Sequence, residues 1–567
     1  MNIQRFFAYL LTLLSLLLAV HSWAQDKPLA KPSAIQYRWQ EQERIMFIHF
    51  GVATWLGQEY DETGAFDLSR INPEKLNTDQ WCQVAQSWGA KQIIFVAKHA
   101  GGFCWWQTQT TEYGVRNTPW KNGKGDVLHD LAVSCKKAGL NLGVYIYPGD
   151  IKWGAGLGSG GVTKNPNKQV AYNQVFRQQL TEVLTRYGNM LEVWFDGSCK
   201  VPMSDILKKH AKKAVIFQST DASIRWPGSE SGRLHYPVWN SLKSSMLKTG
   251  VATQYDDDPD GDAWAPLEAD VPLYNHNWFW APKNEQKRRS LPELMEIYYQ
   301  SVGHGGTLLL NATPDTTGLI PSGDVQCFAE FGREIDRRFA RPLLSIQQQQ
   351  GTAVELNFPQ PSSINHTILR EDYRQGHRIR QYTIEGLVDG QWVELAKGSS
   401  VGTRKIDFFP TTRVSKLRLQ ITKHVNTPLI RSFAAFNVDD FIYKAPIHQS
   451  KEWRECGIWD TKNFIDGRGE LTIDLTPFIQ QPGQYEVVFL NSVNITGMWV
   501  EKAEVIFDED PNTLQEFITR KAGENTFYIN RTAQVDRGNT SVLKVKMSSD
   551  NRSFQNKGTI VIRQRTK

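Results

Sequence analysis

Between residues 40 and 340, short apolar runs alternate with stretches whose apolar residues recur at three- to four-residue spacing. The runs Ile45–Val52, Gln92–His99, Asn141–Tyr147, Leu191–Gly197, Ala214–Ser219 and Thr307–Asn311 are rich in β-branched and aromatic residues and end in polar ones. They are predicted strands. Helices are predicted between them. Thr78–Trp88 places Trp81, Val84, Ala85 and Trp88 on one face. Asp126 caps a run carrying Leu128, Leu131, Ala132 and Cys135 that stops near Gly139, and Val170–Tyr187 stops at Gly188. Ser290 and Glu293 form a capping box before Leu294–Val302. Repeated strand–helix units imply a parallel sheet covered by helices. The first reading is an α/β fold with a (β/α) TIM-like barrel over 25–340, ahead of a doubly wound sheet.

After Ala340 the period changes to two. Ala353–Phe358, Ile379–Leu387, Trp392–Leu395, Lys405–Phe409, Leu417–Ile421 and Phe433–Val438 read as short strands of a β-sandwich over 341–445. A linker is expected around Lys444–Lys451. A second β-sandwich domain is expected over 452–567, with strands from Glu470–Leu475 to Gly558–Ile562.

The N-terminus has the pattern of a cleavable export signal over residues 1–24. Arg5 precedes the apolar run Phe6–Val20, and Ser22-Trp23-Ala24 offers a cleavage site. Fifteen residues of helix span about 22 Å, short of a ~30 Å hydrocarbon core. The expected product is exported, periplasmic or extracellular, with no membrane span after cleavage. Charge argues against a nucleic-acid partner: 65 basic residues nearly balance 59 acidic ones. The six cysteines form no C-x-x-C and are expected to be mostly buried thiols. Fifteen of the 19 tryptophans precede residue 341, which suits either a large core or a site that stacks sugar rings.

In a barrel the chemistry sits at the C-terminal ends of strands. Those ends carry His49, Lys98-His99, Tyr147, Asp196 and Asn311. Asp196 closes a near-continuous apolar run, Leu191–Phe195, where it either serves chemistry or caps the next turn. Glu230 lies in the loop Arg225-Trp226-Pro227-Gly228-Ser229-Glu230, either packed on an indole or simply solvated. Two carboxylates on different strand ends are what retaining glycoside hydrolysis requires. His49, Glu59, Lys98-His99, Tyr147, Tyr172 and Trp278 are candidate contacts to sugar hydroxyls and ring faces. No metal is expected, since H-E-x-x-H is absent. Asp256–Asp262 resembles the start of a calcium loop, but Glu268 misses the required position by one, so a solvated acidic loop is expected. No Walker A, Rossmann or G-x-S-x-G motif occurs, and no cofactor is expected.

Taken in order, several motifs resemble the α-L-fucosidase family of retaining glycoside hydrolases. They are Ile48-His49-Phe50-Gly51 with Glu59 and Trp81, Ala97-Lys98-His99 with Gly102-Phe103-Cys104, and Glu192-Val193-Trp194-Phe195-Asp196-Gly197. Trp264-Ala265-Pro266 with Glu268, Asp270 and Trp278, and Tyr298-Tyr299 through Leu308–Asn311, complete the set. The resemblance implies Asp196 as nucleophile and, through a loop like that of the α-1,3/1,4-fucosidase branch, Glu230 as acid/base. Glu268 is the fallback acid. It implies sugar contacts from His49, Glu59, His99, Tyr172 and Trp278, and a fucosylated oligosaccharide or glycoconjugate as substrate. Another terminal sugar, or glycan binding without catalysis, are the competing readings. The chain departs from the family where Ala100 replaces a second histidine and Gly101 an acidic residue. The 341–440 segment resembles discoidin-like modules around Tyr382–Glu385, Asp389–Trp392 and Lys416–Arg418.

Overall fold

The structure, a computed structural model, describes residues 27–565 apart from 249, 276, 444–451, 492–497, 519–525, 533–539 and 550–556. The expected signal segment and the linker around Lys444–Lys451 lie outside the described residues. Seven parallel strands curl into the first domain: Arg44–Ile48, Gln92–Lys98, Asn141–Ile146, Met190–Cys199, Val215–Ser219, Glu268–Pro272 and Thr307–Ala312. Across the sheet, the first five run in sequence order. The Thr307–Ala312 strand then pairs with the first, and Glu268–Pro272 pairs with Thr307–Ala312.

Among the described residues no regular strand joins the two edges. Ile224 bridges in parallel to Phe217, and Arg225 bridges in parallel to Leu267, so two residues span the seam. The Arg225 side chain secures it. It is 2% exposed and donates to the carbonyls of Ala265, Thr253 and Trp239 and to Asp257 at 2.7–2.9 Å. A guanidinium's fork of five N–H groups suits this dispersed set of acceptors.

The expected strand Ile45–Val52 ends earlier, because the chain turns at Gly51 into the helix Val52–Leu56. The Glu268–Pro272 strand was not expected: its sequence, EADVP, carries two acidic residues and a proline. Helices pack outside the sheet on apolar residues such as Trp81, Trp88, Leu128, Phe176 and Phe328. Trp88 stacks on Phe331, and Trp105 on Phe50 at 4.6 Å. Many tryptophans are thus core residues. Among the described residues all six cysteines are free thiols, and no helix is long and apolar enough to cross a membrane.

Residues 344–436 form a six-stranded antiparallel sheet. Its two longest strands, Ala353–Glu371 and Lys405–His424, break register and fold around Val354, Leu356, Ile364, Leu417 and Phe433. The sheet docks on the bottom of the barrel. Glu43, buried, binds Arg370 and Arg404, while Glu41 binds Arg431 and Tyr373. Two further antiparallel sheets of four strands each cover 454–564 and enclose Trp459, Tyr485, Phe489, Val505 and Ile562. Tyr255 of the barrel donates to Asp460 of this part at 3.0 Å.

Candidate active site

Period-two alternation sets the floor of the site. On the Met190–Cys199 strand, Val193 and Phe195 face the helices and join their core. Glu192, Trp194 and Asp196 face the barrel interior. Trp194 is stacked between Tyr145 at 5.2 Å and Phe217 at 4.0 Å. Above it, the Tyr145 hydroxyl donates to Asp196 Oδ2 at 3.0 Å. The turn after Asp196 runs through Gly197 (φ +68°) and Ser198 (φ +65°), both in the left-handed region. Non-glycine residues there are strained and cluster at functional sites. Gln218 Oε1 holds the turn, accepting from the amides of Gly197 at 2.8 Å and Ser198 at 3.3 Å. Burial pushes the Asp196 carboxyl up from its ordinary pKa, while the Tyr145 hydroxyl and the Gly197 amide favour its anion.

Glu230 reaches the same chamber from the other side of the seam. Its loop is pinned at both ends to the chain around the Glu268–Pro272 strand: Arg225 N–H donates to Pro266 O and Gly232 N–H to Asp270 O. Trp226 Nε1 donates to Asp270 Oδ1 at 2.7 Å. Trp278 Nε1 donates to Glu230 Oε2 at 3.0 Å. Glu59 fixes Trp278 in turn, accepting its backbone N–H at 2.6 Å and Asn277 Nδ2 at 2.9 Å. Although the Glu230 tip is open to solvent, the walls around it restrict hydration. That desolvation, with the charges of Asp196 and Glu59, pushes its pKa up against the Trp278 hydrogen bond.

His49 lies against Trp278, ring centroids 4.9 Å apart. Asn311 Nδ2 donates to Trp278 O, so its Oδ1 is the acceptor facing His49 Nδ1 at 2.8 Å. The proton therefore sits on Nδ1 and Nε2 is left as an acceptor. Burial and the nearby His99 hold His49 neutral, with its pKa well below the usual value. Burial likewise lowers His99 to about 4. His99 stacks between Tyr145 and Tyr60, at 5.7 and 5.8 Å.

The structure thus gathers Asp196, Glu230, His49, Glu59, His99 and Trp278 around one chamber. Tyr172 is not among them. It is fully buried, and its hydroxyl donates to Pro148 O at 2.5 Å under the Lys98–Asp150 ion pair. The aromatic hydroxyls near Asp196 are those of Tyr145, Tyr147 and Tyr60. Tyr145 and Tyr60 were missed because one reads as an ordinary strand residue and the other as loop.

The departure at 100–101 has a structural counterpart. A Cβ at Gly101 would lie 2.7 Å from Asp61 Cβ. Asp61 fills that space and accepts from Thr63 N–H and hydroxyl, Gly64 N–H and the Tyr113 hydroxyl. With His99 and Phe279 it lines a hollow beside the chamber, and its charge acts on His99.

Glu268 is excluded as an acid facing substrate. It is 0% exposed and accepts from Trp194 Nε1 at 2.9 Å, one layer below Asp196. The acidic loop is not simply solvated either. Asp257 binds Arg225, Asp260 binds Lys27 and Arg380, and Asp262 holds the Ser244 amide. Among the described residues no group of three His, Cys, Asp or Glu is arranged to hold a metal ion.

Comparison with known proteins identifies the family. The α-L-fucosidase family model matches residues 33–337. Alpha-L-fucosidase 1 of Arabidopsis thaliana is 30% identical over 489 residues, 77% of this chain and 94% of its own length. A crystal structure from Bacteroides thetaiotaomicron VPI-5482, described as a proposed α-L-fucosidase, is 34% identical. It covers 72% of this chain and 100% of its own, with a TM-score of 0.68. A glycoside hydrolase 29 family member from an unknown rumen bacterium is 26% identical and covers 93% of this chain and 97% of its own, with a TM-score of 0.65. The chain belongs to the α-L-fucosidase family of glycoside hydrolases, and α-L-fucoside hydrolysis is its activity.

Proposed function

We propose that the protein releases terminal L-fucose from α-1,3/1,4-linked branches with net retention, using Asp196 as nucleophile and Glu230 as acid/base. The supporting observation is that two carboxyls from different barrel segments, held by Tyr145 and Trp278, face one chamber. Asp196 Oδ attacks the anomeric carbon while Glu230 gives its proton to the departing glycosidic oxygen. The fucosyl–Asp196 ester is then opened by water, whose proton returns to Glu230. Proximity divides the roles. Asp196 has two donors that favour its anion, whereas Glu230 faces two neighbouring negative charges and takes the proton. His49 Nε2 accepts from a sugar hydroxyl, His99 and Glu59 bind further hydroxyls, and the Trp278 ring covers an apolar sugar face.

The linkage reading rests on the Arg225–Gly232 loop and its resemblance to the α-1,3/1,4 branch. The 344–436 sheet is read as a discoidin-like module that supports the barrel. The segment 1–24 is read as a signal that directs export and is removed, which N-terminal sequencing of the mature protein tests. The functional reading is tested by proton NMR during cleavage of a panel of α-1,2-, α-1,3- and α-1,4-fucosylated oligosaccharides. α-Fucose released first, from α-1,3/1,4 substrates, is expected. β-Fucose released first would overturn the retaining mechanism, and a preference for α-1,2 linkages the linkage assignment.

A further inference from the structure

One layer beneath the chamber, Glu192 and Glu268 meet inside the barrel. Both are 0% exposed, and their carboxyls lie within hydrogen-bond reach of each other. Glu192 Oε2 accepts from Trp39 Nε1 at 2.8 Å and Gln92 Nε2 at 2.9 Å. Glu268 Oε2 accepts from Trp194 Nε1 at 2.9 Å. The remaining oxygen of each, Oε1, is buried and receives no N–H or O–H from any described residue. Among the described residues no lysine, arginine or histidine pairs with either carboxyl.

Two adjacent anions in a dry interior with no cation are not tolerated, and two orphaned acceptors cannot satisfy each other without a hydrogen. We propose that Glu192 and Glu268 share one proton through their Oε1 atoms, that Glu268 is the neutral partner, and that this bond fixes Trp194 under Asp196. One O–H···O bond satisfies both orphans. The donors decide which side keeps the charge. Glu192 has two, and the second is backed by a relay of amides with a common direction. Gln42 donates to Gln92, Asn141 to Gln42, and the Arg38 guanidinium to Asn141. Glu268 has one donor, and Asp270, two residues along its own strand, adds repulsion that disfavours a second anion.

The effect reaches the chamber in three contacts. Glu268 holds the Trp194 indole, Trp194 stacks on Tyr145, and Tyr145 donates to Asp196. Glu268 is therefore a positioning residue. Its effect on catalysis rests on Asp196 being the nucleophile, but the shared proton does not.

Three measurements on the full-length protein test this. An infrared difference spectrum, wild type minus Glu268→Gln, should show one un-ionised carboxylic-acid carbonyl band at neutral pH, separate from any contributed by Glu230. Glu268→Ala should lower kcat and kcat/KM together by about 10²-fold, the scale of a displaced catalytic group. Glu268→Gln, whose amide N–H replaces the acid proton, should recover most of that loss. Glu192→Gln should be the costlier amide: its oxygen can still accept from Trp39 and Gln92, but its NH2 then faces Glu268 and leaves the charge on the carboxyl that has one donor and Asp270 beside it. The shared proton is overturned if that difference band is absent, that is, if Glu268→Gln leaves the un-ionised carboxyl signal unchanged. The assignment of the proton to Glu268 is overturned if Glu192→Gln is the benign amide. The positioning role alone falls if the band behaves as expected while Glu268→Ala keeps its wild-type kcat and only melts earlier.

Discussion

Trp278 reaches Glu230 with its indole N–H at 3.0 Å and so couples the proposed acid to the wall proposed to cover the sugar. This bond favours the ionised carboxyl, opposing the desolvation and the like charges that push Glu230 up. Its removal should raise the pKa of the acid further. Trp278→Phe should therefore shift the alkaline limb of the kcat/KM profile to higher pH, since Glu230 would keep its proton longer. An unmoved limb would show that Glu230 does not set it.

Asp196→Gly should lose nearly all turnover while remaining folded. Added azide, entering the space the carboxylate vacates, should restore some turnover and give a β-fucosyl azide. An Asp196→Gly protein with wild-type rates, checked by circular dichroism for folding, would remove Asp196 from the nucleophile role.

Glu230→Ala should discriminate between leaving groups. A nitrophenolate departs with little help, whereas a sugar alkoxide needs its proton. Single-turnover rates on oligosaccharides should fall about 10²–10⁴-fold further than on aryl fucosides. An equal loss on both substrate types would place the acid elsewhere.

Glu43 ties the barrel to the sheet behind it. Burial raises its pKa, but Arg404 and Arg370 outweigh burial and the net shift is downward. Its contribution to stability is thus present above the unfolded carboxylate pKa and lost as pH falls through the lower folded value. Glu43→Gln should cost about 2–4 kcal/mol in denaturant unfolding at neutral pH, less than for a fully buried pair because both guanidinium groups keep some solvent. The difference from wild type should shrink in acid.

Removal of Trp453–Lys567 should leave hydrolysis of an aryl fucoside largely intact. The described residues of that segment contribute nothing to the chamber and meet the barrel through contacts such as Tyr255–Asp460. A monodisperse, folded truncation without activity would give it a part in the site.

What could be read from the chain followed from local signals. Asp196, His49 and His99 end apolar strands, and Glu230 sits in a loop whose glycines and serines mark it as an excursion. Tyr172 was misplaced because a local motif match does not say which way a helix turns its tyrosine. Its helix turns it under Lys98 instead. Tyr145 and Asp61 were silent because their roles depend on partners 51 and 52 residues away. The Glu268–Pro272 strand was hidden by its own function: its inward positions carry acids where strand patterns lead one to look for valine and isoleucine.

The two-residue seam at Ile224–Arg225 has a consequence for how such a barrel can diversify. A full strand would commit the flanking chain to a fixed ladder, so an insertion would slip every side chain onto the opposite face. Here closure needs only two bridges and one guanidinium. The excursions on either side can lengthen, shorten or exchange their acidic residue while the rest of the sheet keeps its register. Asp196, just after the regularly paired residues Glu192–Trp194, has no such latitude. With the site residues in their proposed roles, remodelling one seam would retune which aglycone is accepted and leave the proposed fucose contacts unaltered.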